Sequence, residues 1–312
     1  MTVARSHSVQ RVFSSDEAFE YCARMTNAHY ENFPVASLFL PEEKRPYIQS
    51  IYAFSRSADD FADELDRPPE DRLADLQSWE DMLRACYEGE AEHPVFIALR
   101  ETVRNLDIPI QPLLDLLSAF RRDVVQNRYE TFDDLLSYCR CSANPVGRLV
   151  LMIFGSREDE LFLLSDHICT ALQLTNFWQD VTRDRDKNRL YLPLEDLKRF
   201  SVSEGDWKTS QVTENTRKLI RFEVERTRNL FYRGVDLPSR VLPELQLELR
   251  LVWFGGMTIL KKIEHEKLNV FLQRPRLNTL DKIIVLYRGM FSKHLNKFGR
   301  TREEWEALQQ QS

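Results

Sequence analysis

Apolar residues recur at the three-to-four-residue spacing of an amphipathic helix from about Ser15 almost to the C-terminus, and β-branched alternation is rare. A chain patterned this way can bury its apolar stripes most simply by packing helix on helix. Its glycine usage agrees. The 312 residues include only 9 glycines, under half of what the roughly 7% average usage would supply. That scarcity disfavours β-rich folds with many tight turns. It also leaves no glycine-rich phosphate loop, since neither G-x-G-x-x-G nor G-x-x-x-x-G-K-S/T occurs.

The pattern predicts helices over Ser15–Met25, Pro46–Leu65, Pro69–Tyr87, Pro94–Leu106, Ile110–Asn127 and Phe132–Arg140. Further helices are predicted over Pro145–Ile153, Asp159–Arg183, Thr213–Gly234, Pro243–Phe271 and Asn278–Lys297. Start signals support them: Ser14-Ser15-Asp16 ahead of the first apolar stretch, Pro46 near a first turn, and Asp133 ahead of Leu135-Leu136. The longest irregular stretch runs from Asp186 to Asp206 and is expected to wrap a surface. No linker-like tract or internal repeat divides the chain. The expectation is one all-α domain over residues 1–312, a helical bundle around a central cavity, with residues 1–14 flexible.

At 43% hydrophobic and 29% charged, the composition is that of a globular protein and not of a disordered chain. A net charge of −6 offers no general attraction to nucleic acid, which is excluded as a partner. Five cysteines (Cys22, Cys86, Cys139, Cys141, Cys169) lack zinc-site spacing and read as reduced core thiols. No apolar signal core follows the basic N-terminal residues. No run approaches the ~18 apolar residues of a membrane span; Leu149–Phe154 is the nearest. A soluble, cytoplasmic protein is expected, with peripheral contact at the inner face of the membrane left open.

Two acidic segments carry the chemistry. In Tyr52-Ala-Phe-Ser-Arg56-Ser-Ala-Asp59-Asp60-Phe-Ala-Asp63, helical geometry puts Tyr52, Arg56, Asp59 and Asp63 on one arc. Taken alone, this reads first as a solvated acidic face. The second segment, Gln173-Leu-Thr-Asn176-Phe-Trp-Gln-Asp180-Val-Thr-Arg-Asp184, repeats the arrangement with Gln173, Asn176, Asp180 and Asp184. Its other faces carry Ile168, Ala171, Leu172, Leu174, Trp178 and Val181, and a helix apolar on most sides is a buried helix. Its polar stripe must then face an interior cavity, where unpaired carboxylates cost several kcal/mol each. Divalent cations remove that cost. Hard oxygen ligands without His or Cys indicate Mg²⁺, which keeps several waters and shares its shell with substrate phosphates. Two facing Asp pairs around a small metal cluster would clamp a diphosphate, with Arg56 and Arg189 as charge-assisted donors. Departure of that diphosphate would leave a carbocation in a dry, aromatic pocket.

Over nearly its whole length the chain resembles the squalene/phytoene synthase family. The likeness is carried by Leu40-Pro41 with Arg45, by Ile51-Tyr52-Ala53-Phe54-Ser-Arg56 leading into Asp59 and Asp63, and by Tyr138-Cys139 and Pro145-Val146-Gly147. It continues through Asn176-Phe-Trp-Gln179-Asp180-Val-Thr-Arg-Asp184 and Asn188-Arg189-Leu-Tyr191-Leu-Pro193. The resemblance implies an isoprenoid-synthase-type bundle, a prenyl diphosphate as the small-molecule substrate, and two or three Mg²⁺ held by Asp59, Asp63, Asn176, Asp180 and Asp184. It implies diphosphate or transition-state contacts from Tyr52, Arg56, Gln173, Arg189 and Tyr191, and it places Asp123 and Tyr138 at a further acid and a pocket tyrosine. For these two, a surface acid and a core tyrosine are equally good readings.

Where condensing members carry a short His-Ser-x-Ser-Phe-like segment, this chain reads His29-Tyr30-Glu31-Asn32-Phe33-Pro34-Val35-Ala36-Ser37. That string is similar to bacterial hydroxysqualene synthases of hopanoid pathways, and puts Asn32 and Phe33 at the substrate. The reaction so implied is ionisation and rearrangement of presqualene diphosphate with capture by water, without NAD(P)H, and with functional coupling to neighbouring pathway enzymes. Alternatives are a head-to-head condensing prenyltransferase and a non-catalytic assembly factor. Asn32, Tyr52 and Tyr138 are candidates for positioning the water, and His29 reads as a structural or phosphate-proximal histidine. Arg274 and Arg276 could help close the phosphate end, but a solvated basic turn is the first reading of the two.

Overall fold

The structure is a computed structural model that describes residues 13–28, 40–210, 212–265, 270–271, 274–292 and 295. Within these residues the chain forms helices and a single isolated β-bridge. The first half comprises α1 (Ser15–Ala28), α2 (Arg45–Asp63), α3 (Pro69–Glu88), α4 (Pro94–Asn105), α5 (Gln111–Val125), α6 (Phe132–Ser142) and α7 (Asn144–Ile153). The second comprises α8 (Asp159–Gln179), α9 (Val181–Asp186), α10 (Leu194–Arg199), α11 (Glu204–Lys208), α12 (Glu214–Arg233), α13 (Leu237–Arg240), α14 (Pro243–His265) and α15 (Thr279–Phe291).

Each predicted helix is present, with its ends displaced by a few residues where capping decides them. Proline occupies the first turn of α2, α3, α4, α5 and α7, where its missing N–H costs nothing. Ser14 and Glu17 exchange side-chain-to-backbone hydrogen bonds at the start of α1. Thr131 with Asp134, and Asn278 with Asp281, form capping boxes for α6 and α15.

Two expectations change. The helix predicted over Asp159–Arg183 breaks at Asp180, whose backbone (φ −102°, ψ 14°) leaves the helical region before α9 resumes. The stretch from Asp186 to Asp206 does not merely wrap a surface: Leu190, Tyr191 and Leu192 are buried. Backbone pairing draws them in. Leu190 N–H donates to the Asn127 carbonyl and Leu194 N–H to that of Tyr129, both at 2.9 Å. Burying Leu190 and Leu192 removes two large apolar side chains from water, a gain that alternation along an extended segment makes available. Arg226 then ties α10 to α12 through Asp196 (2.7 Å) and Glu223.

One cluster of buried apolar side chains runs from α1 to α15. Helix α8 lies within it, packed against α6, α7, α12 and α14. Trp178 donates to Thr227 Oγ1 on α12 at 2.8 Å. A Cβ on Gly256 would come within 2.3 Å of the Phe231 ring, so α14 approaches α12 as closely as it does only because that position is glycine.

Glu248 on α14 is buried, and its Oε2 has no partner among the described residues. Burial alone pushes its carboxyl up to about 8. The folded protein therefore holds Glu248 neutral while the unfolded chain ionises it above its ordinary value, so stability is lost as pH rises from about 4.5 towards 8. Glu248→Gln should raise the thermal midpoint by several degrees at pH 8 and leave it near wild type at pH 5. Equal shifts at both pH values would show that the cost is not ionisation.

Candidate active site

Helix α2 presents Tyr52, Arg56, Asp59 and Asp63 along one face, one turn apart, because apolar Ile51, Phe54, Ala58 and Ala62 hold its opposite side in the core. Arg56 Nη1 donates to Asp59 Oδ2 at 3.1 Å, and its Nη2 to Asp60. The second acidic motif comes from α8 and α9. Gln173 and Asn176 lie on α8, Asp180 at the break, Asp184 on α9, and Lys187, Arg189 and Tyr191 follow.

The two motifs meet. Asp63 Oδ2 accepts from Lys187 Nζ at 2.7 Å and its Oδ1 from Arg189 Nη2 at 2.9 Å, across 124 and 126 residues of sequence. Asp180 is gripped by Arg274 through Nε and through Nη2, the latter at 3.0 Å. The basic turn is thus not simply solvated: Arg276 is exposed, but Arg274 is half-buried on a motif carboxylate. Buried Gln179 fixes this approach by donating to the Pro275 carbonyl at 2.5 Å.

Below the carboxylates lies a polar-aromatic floor. Tyr138 donates to Asp123 at 2.8 Å and the Tyr191 hydroxyl stands 3.5 Å from its other oxygen. Tyr191 stacks on Phe177 with ring centroids 3.7 Å apart, and Tyr129 stacks on its other neighbour side at 5.7 Å. Asp123 and Tyr138 are thus joined by a hydrogen bond, Asp123 half-buried and Tyr138 within the core cluster. Phe177, Asp184, Arg189, Tyr191 and Trp207 line a small recess.

The electrostatics follow from crowding. Burial, with Asp63 beside it, raises the Asp59 carboxyl despite Arg56. Burial also pushes Asp63 up, but Lys187 and Arg189 outweigh it and hold Asp63 below the usual carboxylate range. Burial and then the charge of Asp180 push Asp184 up to about 7. Asp123 is pushed up to about 6, mainly by burial, against the hydrogen bond from Tyr138. Burial opposes the charge of Arg189, yet Tyr191, Asp63 and Asp123 around it keep its guanidinium firmly protonated.

Among the described residues the polar stripe of α8 is not sealed from solvent. Asn176 is exposed and Gln173 half-buried, and the Asp59 side chain is 42% exposed. The carboxylates line an open cleft because hydration and ion pairing satisfy them there. Among the described residues no three acidic, His or Cys side chains converge as they stand to hold a metal. Asp63, Asp180 and Asp59 are each drawn to a cationic side chain instead. The donor set nonetheless fits a hard divalent cation: Asp59, Asp63, Asn176, Asp180 and Asp184 supply oxygen ligands with no His or Cys among them. The Asp184 carboxyl, raised by burial and by Asp180 against the pull of Arg189 and Lys187, would gain from a further positive charge.

Tyr52 is half-buried one turn before Arg56. Asn32 and Phe33, with His29, lie outside the described residues. Sequence reasoning did not single out Lys187 or Gln179. Gln179 sits inside one motif string and Lys187 between two of them, but helical spacing gave no reason to choose either, since Lys187 follows the end of α9 and Gln179 is off the Gln173–Asn176–Asp180 arc of α8.

With this geometry in hand, likeness to known proteins is informative. A sequence profile of the family described as squalene/phytoene synthase matches residues 26–281. The hydroxysqualene synthase of Zymomonas mobilis is 42% identical over 215 residues, 68% of this chain and 71% of that one. The phytoene synthase of Arthrospira platensis is 28% identical over 92% of this chain and 96% of its own. Among solved structures, squalene synthase HpnC from Alicyclobacillus acidocaldarius superposes with a TM-score of 0.78 at 44% identity, covering 82% of this chain and 96% of that one. A dehydrosqualene synthase solved with a ligand gives 0.80 at 25% identity, covering 88% and 96%. With the match spanning both acidic motifs and the helices that hold them, the chain belongs to the squalene/phytoene synthase family.

Proposed function

We propose that this chain is a hydroxysqualene synthase that ionises presqualene diphosphate and captures the rearranged cation with water. The observation that carries a diphosphate site is the pairing of Asp63 with Lys187 and Arg189, which joins both acidic motifs in one cleft. Likeness to the hydroxysqualene synthases of Zymomonas mobilis (42%) and Rhodopseudomonas palustris (31%) supports the choice of reaction.

The bond between the cyclopropylcarbinyl carbon and oxygen breaks, with its electron pair leaving on the diphosphate. The ring opens, and water adds its oxygen to the cation and gives up a proton. The atoms balance without a hydride donor, so no NAD(P)H is required. Two or three Mg²⁺ held by Asp59, Asp63, Asn176, Asp180 and Asp184 would neutralise charge on the departing diphosphate. The chain's own cations do related work. Arg56, Lys187, Arg189 and Arg274 share the cleft and are suited to charge-assisted hydrogen bonds with phosphate oxygens. The Tyr191–Phe177 stack presents π faces that favour a neighbouring cation. The Asp123–Tyr138 pair fixes a hydroxyl and a carboxyl beside that stack, and the raised carboxyl of Asp123 suits it to take the proton that water loses.

Purified protein incubated with Mg²⁺ and presqualene diphosphate in ¹⁸O-water should release inorganic diphosphate and an alcohol carrying the label. Farnesyl diphosphate alone should remain unconsumed. The phytoene synthases at 28–31% identity favour a second reading, head-to-head condensation. Consumption of farnesyl diphosphate with no labelled alcohol would establish that reading and remove the first.

A further inference from the structure

Helix α15 is apolar on two opposite faces, and among the described residues only one of them is covered. Val285 and Gly289 are buried against α14, where a Cβ on Gly289 would stand 2.5 Å from the Leu251 side chain. That face is closely packed. The other carries Leu280, Ile283, Ile284, Tyr287, Met290 and Phe291, exposed by between 46% and 69%. At 100° per residue these six fall within one arc of roughly 120°, centred opposite the buried pair. They are six of the eleven large hydrophobic side chains exposed among the described residues, gathered on a helix of 13. The other five are scattered over separate elements, as single exposed apolar residues normally are.

The charge around this helix distinguishes between occupants. The chain as a whole is acidic, at −6. Over the described residues 276–292, however, Arg276, Lys282 and Arg288 stand against Asp281 alone. Asp281 is itself neutralised by Lys262 at 2.7 Å. A second copy would oppose this basic segment with its own, and like charge around a self-complementary contact disfavours it. An apolar stripe with basic residues about it matches an anionic lipid surface, where the stripe enters the acyl boundary and the cations meet the headgroups. At 13 residues, α15 is well short of the roughly 20 needed to span a bilayer, so it would lie in the interface.

We propose that the outer face of α15 docks this protein peripherally on anionic membranes. The inference stands on exposure and charge, and is independent of which prenyl diphosphate reaction the cleft performs.

The test is co-sedimentation of the full chain with phosphatidylcholine vesicles containing or lacking one quarter phosphatidylglycerol. A variant carrying Ile283→Ser, Tyr287→Ser and Phe291→Ser, all exposed positions, serves as the comparison, with circular dichroism confirming its helicity. Wild type should bind the anionic vesicles and lose binding in high salt; the triple variant should bind them at least about tenfold more weakly. Equal binding by both proteins, or no binding by wild type, would overturn the proposal. So would a concentration-dependent dimer, seen by analytical ultracentrifugation, that the triple variant abolishes while vesicle binding is absent; that result would assign the face to a second copy.

Discussion

Asp63→Ala is expected to lower turnover of the prenyl diphosphate by about a thousandfold or more, the scale set by losing a group that organises charge at a reacting centre. Asp63 is where the motifs join. It belongs to the proposed metal ligands, and it also holds Lys187 and Arg189 in the ligand-free cleft. Its removal deprives the site of an oxygen ligand and leaves two cations to repel any metal that enters. The effect on stability should be small, because the pair is about one-third exposed on the carboxylate side and such pairs contribute about 0–1 kcal/mol. A near-native melting temperature with activity lost would place Asp63 in the chemistry. Activity within tenfold of wild type would remove it, and the joined cleft would then be only a structural contact. Lys187→Ala, measured alongside, should cost less, since Arg189 still bridges to Asp63.

The second large effect is on metal binding as a function of pH. Asp184 is pushed up to about 7, by burial and the neighbouring Asp180, and Asp123 to about 6. A carboxylate binds a hard cation only when deprotonated, so metal must displace the proton that Asp184 holds below pH 7. The sign follows: affinity falls as pH drops below about 7, and binding releases protons. If one proton is displaced, affinity should fall about tenfold per pH unit below that point. Mn²⁺ binding followed by electron paramagnetic resonance at pH 6, 7 and 8, without diphosphate and its own titrations, reads this directly. Asp184→Asn should flatten the dependence and weaken binding at pH 8. A wild-type affinity that does not change between pH 6 and 8 would show that Asp184 is not a ligand.

Much of this architecture is legible from helical periodicity, because the stripes that define α2 and α8 are the ones buried. Asp59 and Asp63 could be assigned to one face of α2 for the same reason. What periodicity could not foresee depends on contacts between distant segments. The break at Asp180 has no glycine or proline to announce it, and Asp180 lies half-buried beside Arg274, 94 residues later in the chain. The burial of Leu190–Leu192 follows from backbone pairing with Asn127 and Tyr129, and a lone bridge leaves no periodic trace. Among the described residues the acids line an open cleft, where Arg56, Arg189, Lys187 and Arg274 meet their charge. Carboxylates on a buried helix required neutralising charge; the chain supplies part of it itself.

The most direct test of the shared cleft is a crystal structure with Mn²⁺ and inorganic diphosphate, its metals located by anomalous scattering. The account predicts at least one ion with ligands from both α2 and the α8–α9 segment, and Arg189 turned from Asp63 towards a phosphate oxygen. Metal held by one motif alone, with the Asp63–Arg189 pair still intact, would contradict it.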